Sequence, residues 1–294
     1  MDEKSFTPIE TGDGSSTFYS NTFGEWFHSR AGAYCEAQNT YVKTTQLAKR
    51  SLQQNLKILD ICYGLGYNTA AALETIWATN PNCQIDMRAL ELNIEVPKSA
   101  IAHNLICAYP IAVQQALKDI ATNAQATGAS FAIQLLIGDA RQTISSLINN
   151  WQADVIFLDP FSPPHCPQLW TVEFLTLVAQ CLNPKGGVLV TYSCAAAVRT
   201  ALQLAGLKIG SIPAVGKAWP GTIATRSDRP LPPLSQQEKE HLQTRAAIPY
   251  RDPTLAATAK QILAQRTQAQ QGSNLRPTSQ WRKYWKTAKT NSPT

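Results

Sequence analysis

The chain predicts a doubly wound α/β fold, with a mostly parallel sheet covered by helices on both faces, and two observations carry this. Five short apolar runs alternate with helical stretches, the rhythm of parallel strands joined by crossover helices of roughly 10–15 residues. Each run also ends on a polar residue: Asp60, Glu91, Asp139, Asp159 and Ser193. Ligands of such sheets bind beyond the carboxyl ends of the strands, at the switch in strand order. These five positions therefore mark the edge where a site is expected.

Taken in order, residues 1–50 are rich in aromatics with little periodicity ("STFYSNTFGEWFHSRAGAYCEAQNTYV") and read as a segment packed on the core, able to cover a site. "LKILDI" (56–61) is a buried strand, followed by a helix from Asn68 to Ala78. "QIDMRALEL" (84–92) alternates and then turns apolar, a second strand, with helices over 95–107 and 111–124. "FAIQLLIGDA" (131–140) is a third, with a helix over 141–150. "ADVIFLDP" (153–160) and "GGVLVTYS" (186–193) are the fourth and fifth, separated by the helix "LWTVEFLTLVAQCL". After "AAAVRTALQLAGL" come two short apolar runs, "KIGSIP" and "WPGTIAT". The main domain is thus expected over 51–229. From 230 the pattern fails, and 230–294 reads as a basic, partly helical extension.

Composition narrows the class. The 294 residues are 44% apolar, enough for a sizeable core. No run approaches the ~20 apolar residues of a membrane span. The start "MDEKSFTPIE" has no signal-peptide pattern, so the expected location is the cytoplasm, away from membranes. Seven scattered cysteines form no C-x-x-C pair, and the reading is free thiols and no metal. Charge is unevenly placed. Residues 235–294 carry ten Lys/Arg against three acids, a net of +7, while residues 1–234 come to −1. A basic extension on a near-neutral body suggests a polyanion such as nucleic acid, or simply a solvated tail. Within it "SQWRKYWK" interleaves cations with aromatics. Trp281, Tyr284 and Trp285 fit base stacking and a packed helix face equally well.

The loop "CYGLGYN" (62–68) supplies Gly64 and Gly66, which permit close backbone approach to a ligand. A Walker loop would need a Lys that is absent, and a dinucleotide fingerprint would need a third glycine where Thr69 stands. Glu91, 25 residues after Gly66, is placed to grip a ribose, which both NAD and S-adenosylmethionine offer. Asp139, followed by Ala140, could accept from an adenine amino group or cap the next helix. "FLDPFSPPHCPQLWT" (157–171) resembles the D-P-P-Y box of amino-group methyltransferases. An ammonium has no lone pair with which to attack a methyl sulfonium. Asp159 could hold the amine and take its proton, with the Phe161 ring beside the reacting group.

Together "FYSNTFGEWFHSRAGA", "DICYGLGYN", "LDPFSPPHCPQLWT" and "GGVLVTYSCAAAVRTALQLAGL" resemble the methyltransferase half of the MnmC-type enzymes, which finish 5-methylaminomethyl groups on tRNA wobble uridines. The resemblance covers residues 12–226. It implies a Rossmann-like class I S-adenosylmethionine-dependent methyltransferase fold, S-adenosylmethionine as donor, and the amine of 5-aminomethyl-(2-thio)uridine in a tRNA anticodon loop as acceptor. It further implies that Asp60, Gly64, Gly66 and Asn68 line the cofactor loop. Glu91 would take the ribose, Asp139 and Ala140 the adenine side, and Asp159 the substrate amine, with Phe161, Ser162 and Lys217 also toward the substrate. Cys62 stands where the family has its first glycine, so the glycine-only backbone conformations are not expected there. Lys217 is what remains of a basic stretch on the family's last strand. The family's FAD-dependent oxidase half has no counterpart in these residues. The expectation is a stand-alone methyltransferase without FAD, fed by a separate enzyme that makes the aminomethyl group. Two alternatives are a methyltransferase acting on another amine, in DNA or protein, and a degenerate fold that binds RNA.

Overall fold

The computed structural model describes residues 6–215 and 219–290. Eight strands build the central sheet: β1 (Asn55–Ile61), β2 (Gln84–Glu91), β3 (Gln125–Gly128), β4 (Phe131–Ile137), β5 (Val155–Leu158), β6 (Val188–Thr191), β7 (Lys208–Ile212) and β8 (Gly221–Thr225). Their spatial order is β7-β8-β6-β5-β1-β2-β4-β3. The five strands read from the sequence (β1, β2, β4, β5, β6) all run parallel. The apolar runs after residue 207 form β7 and β8, antiparallel to each other, with β8 also antiparallel to β6.

Strand periodicity divides the core. Ile58, Phe157 and Val190 point to one face, and Leu59, Ile156 and Leu189 to the other, each fully buried. The first face is covered by α1 (Tyr67–Thr79), α2 (Glu95–Ala102), α3 (Ile111–Asn123) and the helical stretch 33–50; the second by α5 (Val172–Gln180) and α6 (Ala196–Leu204). Between them in sequence lies the single turn α4 (Ala140–Thr143). From β1 the chain moves outward to β2 and β4, then returns to the other side of β1 as β5 and β6. The switch in strand order therefore lies between β1 and β5, and opens a crevice above their carboxyl ends.

Two local expectations are corrected. The helix expected over 141–150 is only α4 and a 3-10 turn at Ile144–Ser146, after which Asn149 takes a left-handed φ of 66°. The helix expected over 95–107 ends at Ala102. The polar edge strand β3 was not foreseen.

The N-terminal segment packs two short hairpins, Ile9–Glu10 with Ser16–Thr17 and Tyr19–Ser20 with Glu25–Trp26, before the helical stretch. Phe18, Tyr41 and Leu47 of this segment are fully buried. The C-terminal extension forms α7 (Gln236–His241), α8 (Ala259–Gln271) and α9 (Thr278–Thr290). Capping boxes at Ser235/Glu238 and Thr258/Gln261 start the first two, satisfying backbone donors that a helix end leaves open. The extension is tied to the body by the buried pair Arg199–Glu238 (2.7 Å), by Arg141–Asp252 (2.8 Å), and by Arg251–Glu173 (2.7 Å). The packing role accounts for two of its aromatics. Trp281 is buried, stacks on His241 at 4.2 Å and donates to the Gln237 carbonyl, while Trp285 donates to Glu240. Tyr284 stays exposed.

Candidate active site

The loop after β1 turns through three left-handed residues, Cys62 (φ 68°), Gly64 (φ 56°) and Gly66 (φ 87°). Cys62 holds this conformation although it carries a side chain, which costs roughly 1–2 kcal/mol. The strain is offset by two bonds, because the Cys62 and Tyr63 amides both donate to the Leu90 carbonyl at 3.0 Å. The loop is thereby stapled to β2. Gly64 faces the crevice, and its amide donates to Glu91 Oε2 at 2.9 Å. Gly66 does not. It opens α1 and faces inward, where a Cβ would stand 2.8 Å from the Tyr63 hydroxyl. Packing and the left-handed backbone both call for glycine there.

Asp60 likewise lies beneath the loop rather than on the crevice wall. It is fully buried, Oδ2 accepts from Thr69 Oγ1 at 2.7 Å, and Oδ1 has no hydrogen-bond partner. Burial raises its pKa to about 7, against the lowering effect of the Thr69 bond, with Asp159 and Glu91 adding to the rise. Sequence spacing placed Asp60 and Gly66 in the right loop but cannot tell which side of it they face.

The crevice is a cavity of about 650 Å³, within the range usual for small-molecule sites. Glu91 sits at the end of β2 with Oε1 accepting from the Asn93 amide at 3.0 Å, so both its oxygens are oriented by backbone. Asp139 caps α4, accepting from the Arg141 amide at 2.9 Å, and is also gripped by the Arg141 guanidinium. Ala140 and Asp139 both line the cavity.

Asp159 follows β5, its amide donating to Ile61 O at 3.1 Å. Its Oδ2 accepts from Asn68 Nδ2 at 2.9 Å. Asn68 thus serves Asp159, joining the first turn of α1 to the carboxylate. The residues that follow are held in place from several elements. Tyr192 OH donates to the Pro160 carbonyl at 2.9 Å, and Trp170 Nε1 to the Phe161 carbonyl at 2.8 Å. The Phe161 ring stacks on Phe23 at 4.6 Å and meets Phe27 edge-on at 5.0 Å. The Ser162 amide donates to Glu25 Oε2 at 2.8 Å, and Ser162 itself is not on the cavity wall. Lys217 lies outside the described residues. Ser193 is buried, its carbonyl accepting from Thr222.

The N-terminal hairpin, expected to be able to cover a site, supplies Phe23, Glu25 and Phe27 to the cavity wall, against the residues that follow β5. The aromatic density of 18–27 gave Phe23 and Phe27 no partner. Sequence reasoning missed Arg141.

The donor set has a clear chemical character. Five carboxylates (Glu25, Glu36, Glu91, Asp139, Asp159) line the cavity against two guanidiniums, and one of those, Arg141, is already paired with Asp139 and Asp252. Aromatic rings supply much of the rest. Carboxylates at strand ends with an aromatic wall suit a cationic nucleoside ligand, and S-adenosylmethionine, with a ribose, an adenine and a sulfonium, fits them. Among the described residues no group of three His, Cys, Asp or Glu could hold a metal ion.

Fold and site define an S-adenosylmethionine-dependent methyltransferase. The family described as S-adenosyl-L-methionine-dependent methyltransferase matches residues 98–227. The crystal structure of MnmC2 from Aquifex aeolicus superposes with a TM-score of 0.78 at 32% identity, covering 90% of this chain and 85% of that one. An uncharacterized protein of Methanocaldococcus jannaschii is 30% identical over 267 residues, 88% of this chain and 70% of that protein. The tRNA 5-methylaminomethyl-2-thiouridine biosynthesis bifunctional protein MnmC of an Azoarcus species is 26% identical over 239 residues, 75% of this chain. The match takes in 36% of that bifunctional protein, so the chain corresponds to about a third of it. The chain belongs to the MnmC2-type family of S-adenosylmethionine-dependent methyltransferases.

Proposed function

We propose that the protein methylates the amine of 5-aminomethyl-(2-thio)uridine at the wobble position of tRNA, in the cytoplasm. One observation carries the reading: a carboxylate at the end of β5, Asp159, is oriented by Asn68 and followed by an anchored aromatic, Phe161, directly beside the loop of β1. Bound S-adenosylmethionine supplies a methyl group on a cationic sulfur. Gly64, Glu91, Asp139 and Ala140 hold it, Glu91 through the ribose hydroxyls and Asp139 through the adenine amino group.

The protein's share of the chemistry is to present a neutral amine in line. A primary alkylamine arrives protonated near neutral pH and has no lone pair. Asp159 accepts its N–H, and the proton leaves through this carboxylate to solvent. The Asn68 bond fixes the carboxylate plane, so the freed lone pair points into the cavity rather than at the wall. Phe161, clamped by Phe23 and Phe27, limits the amine's motion, which is how positioning lowers a bimolecular barrier. Lys217 and the net positive extension contact the RNA backbone. The aminomethyl group itself is made by a separate reaction.

The test is nucleoside mass spectrometry on tRNA bearing 5-aminomethyl groups after incubation with the protein and S-adenosylmethionine. The gain of one methyl on that nucleoside is expected. Methylation of DNA or protein instead, with that nucleoside unchanged, would redirect the reading to another amine.

A further inference from the structure

The C-terminal extension reaches the cofactor cavity through one side chain. Arg141, two residues after the capping residue of α4, lines the cavity and is largely buried. One edge of its guanidinium faces Asp139: Nε stands 3.1 Å from both carboxylate oxygens and Nη2 stands 2.6 Å from Oδ2. Its remaining nitrogen, Nη1, donates to Asp252 Oδ2 at 2.8 Å and to the Ala257 carbonyl at 2.9 Å. Asp252 is fully buried, and its loop is built around it: Thr254 Oγ1 and the amides of Ala256 and Ala257 all donate to its carboxylate. The Asp252 amide in turn donates to Glu173 on α5 at 2.7 Å.

The capping bond from the Arg141 amide holds one oxygen of the Asp139 carboxylate and leaves the other to be fixed. Bidentate pairing with a planar guanidinium fixes it, and only an arginine has the fork to do so. The guanidinium needs its own anchor. Here the anchor is the extension, far away in sequence. Two carboxylates share one cation, so the unit keeps a net negative charge, and Asp139 is its half-exposed member on the cavity side.

We propose that Arg141 and Asp252 are positioning residues for the adenine end of the cofactor, making the extension part of the cofactor site. This rests on the reading of the cavity as an S-adenosylmethionine site. It gives residues 252–257 a role independent of RNA.

The experiment is calorimetric titration of the full chain with S-adenosylmethionine and, separately, with adenosine, for the wild type, Asp252→Asn and Arg141→Lys. Both ligands are expected to bind the variants about tenfold more weakly, with the loss appearing in the cofactor KM and much less in kcat. Arg141→Lys keeps the charge and loses the fork, so it remains informative if Asp252→Asn fails to fold. Wild-type affinity in a folded Arg141→Lys or Asp252→Asn protein overturns the proposal. So does an equal fall in kcat with unchanged adenosine binding, which would mark general loosening. Absence of binding by the wild type would bring down the cavity reading first, and the proposal with it.

Discussion

Replacing Asp60 by asparagine should shift stability in the variant's favour as pH rises. Asp60 is fully buried with one oxygen unpartnered and the other bonded to Thr69. Its pKa stands at about 7 in the fold, against 3.8 for the ordinary group. Below pH ~4 the group is protonated in both states and costs nothing through ionisation. Between ~4 and ~7 the folded chain holds a proton that the unfolded chain has released, so stability falls as pH rises. Above ~7 the full cost is present: at 1.36 kcal/mol per unit, about 4 kcal/mol as an order of magnitude. Asparagine keeps an oxygen for Thr69 and cannot ionise, though its amide group needs an acceptor and sacrifices about 1–3 kcal/mol at every pH. The pH-dependent part of the difference is therefore the clean readout. Urea unfolding of the ligand-free protein from pH 5 to 8.5 measures it. The Asp60→Asn curve should flatten, and its advantage should grow through this window by a few kcal/mol. Parallel curves for the two proteins would refute the reasoning.

Three further outcomes follow from the geometry. Asn68→Ala removes a hydrogen bond to a carboxylate, a class worth about 1.5–3 kcal/mol, so single-turnover methyl transfer should slow about 10–100-fold while cofactor affinity, measured by calorimetry, changes little. Gly66→Ala puts a Cβ 2.8 Å from the Tyr63 hydroxyl at a φ of 87°. A loss of at least about 1–2 kcal/mol in urea unfolding is expected from the left-handed backbone alone. Reversing the exposed cations Arg282, Lys283 and Lys286 of α9 to glutamate should weaken tRNA binding and flatten its dependence on salt. Cofactor binding should persist, because Trp281 and Trp285, which dock the helix, are untouched.

The parallel strands were legible because strands buried on both faces must be apolar throughout, as "ADVIFLDP" is, and because the polar residue ending each one breaks the pattern sharply. Strand β3, "QATG", was not legible: it is a short edge strand, mostly exposed, and has no face to declare. The candidate site was legible in its strand-end acids, since topology alone brings Glu91, Asp139 and Asp159 to one edge. What escaped were relations between distant segments. Nothing in the sequence pairs Glu25 with the Ser162 amide, or Arg141 with Asp252, since each bond depends on how a loop folds back. The same blindness put Asp60 and Gly66 on the ligand side of a turn whose inner side they occupy. At Cys62 the sequence suggested a conformation the residue could not take, and the Leu90 carbonyl, accepting two amides, shows how it is held there.

The central claim is that Asp159 presents a tRNA aminomethyl nitrogen to S-adenosylmethionine. The most direct measurement is transfer of labelled methyl from S-adenosylmethionine to two tRNAs that differ only in whether the wobble uridine carries the aminomethyl group, using wild type and Asp159→Asn. Label is expected on the aminomethyl tRNA alone, with transfer by Asp159→Asn reduced at least about a hundredfold and its cofactor binding retained. Equal labelling of both tRNAs, or an Asp159→Asn enzyme as fast as the wild type, would contradict the claim.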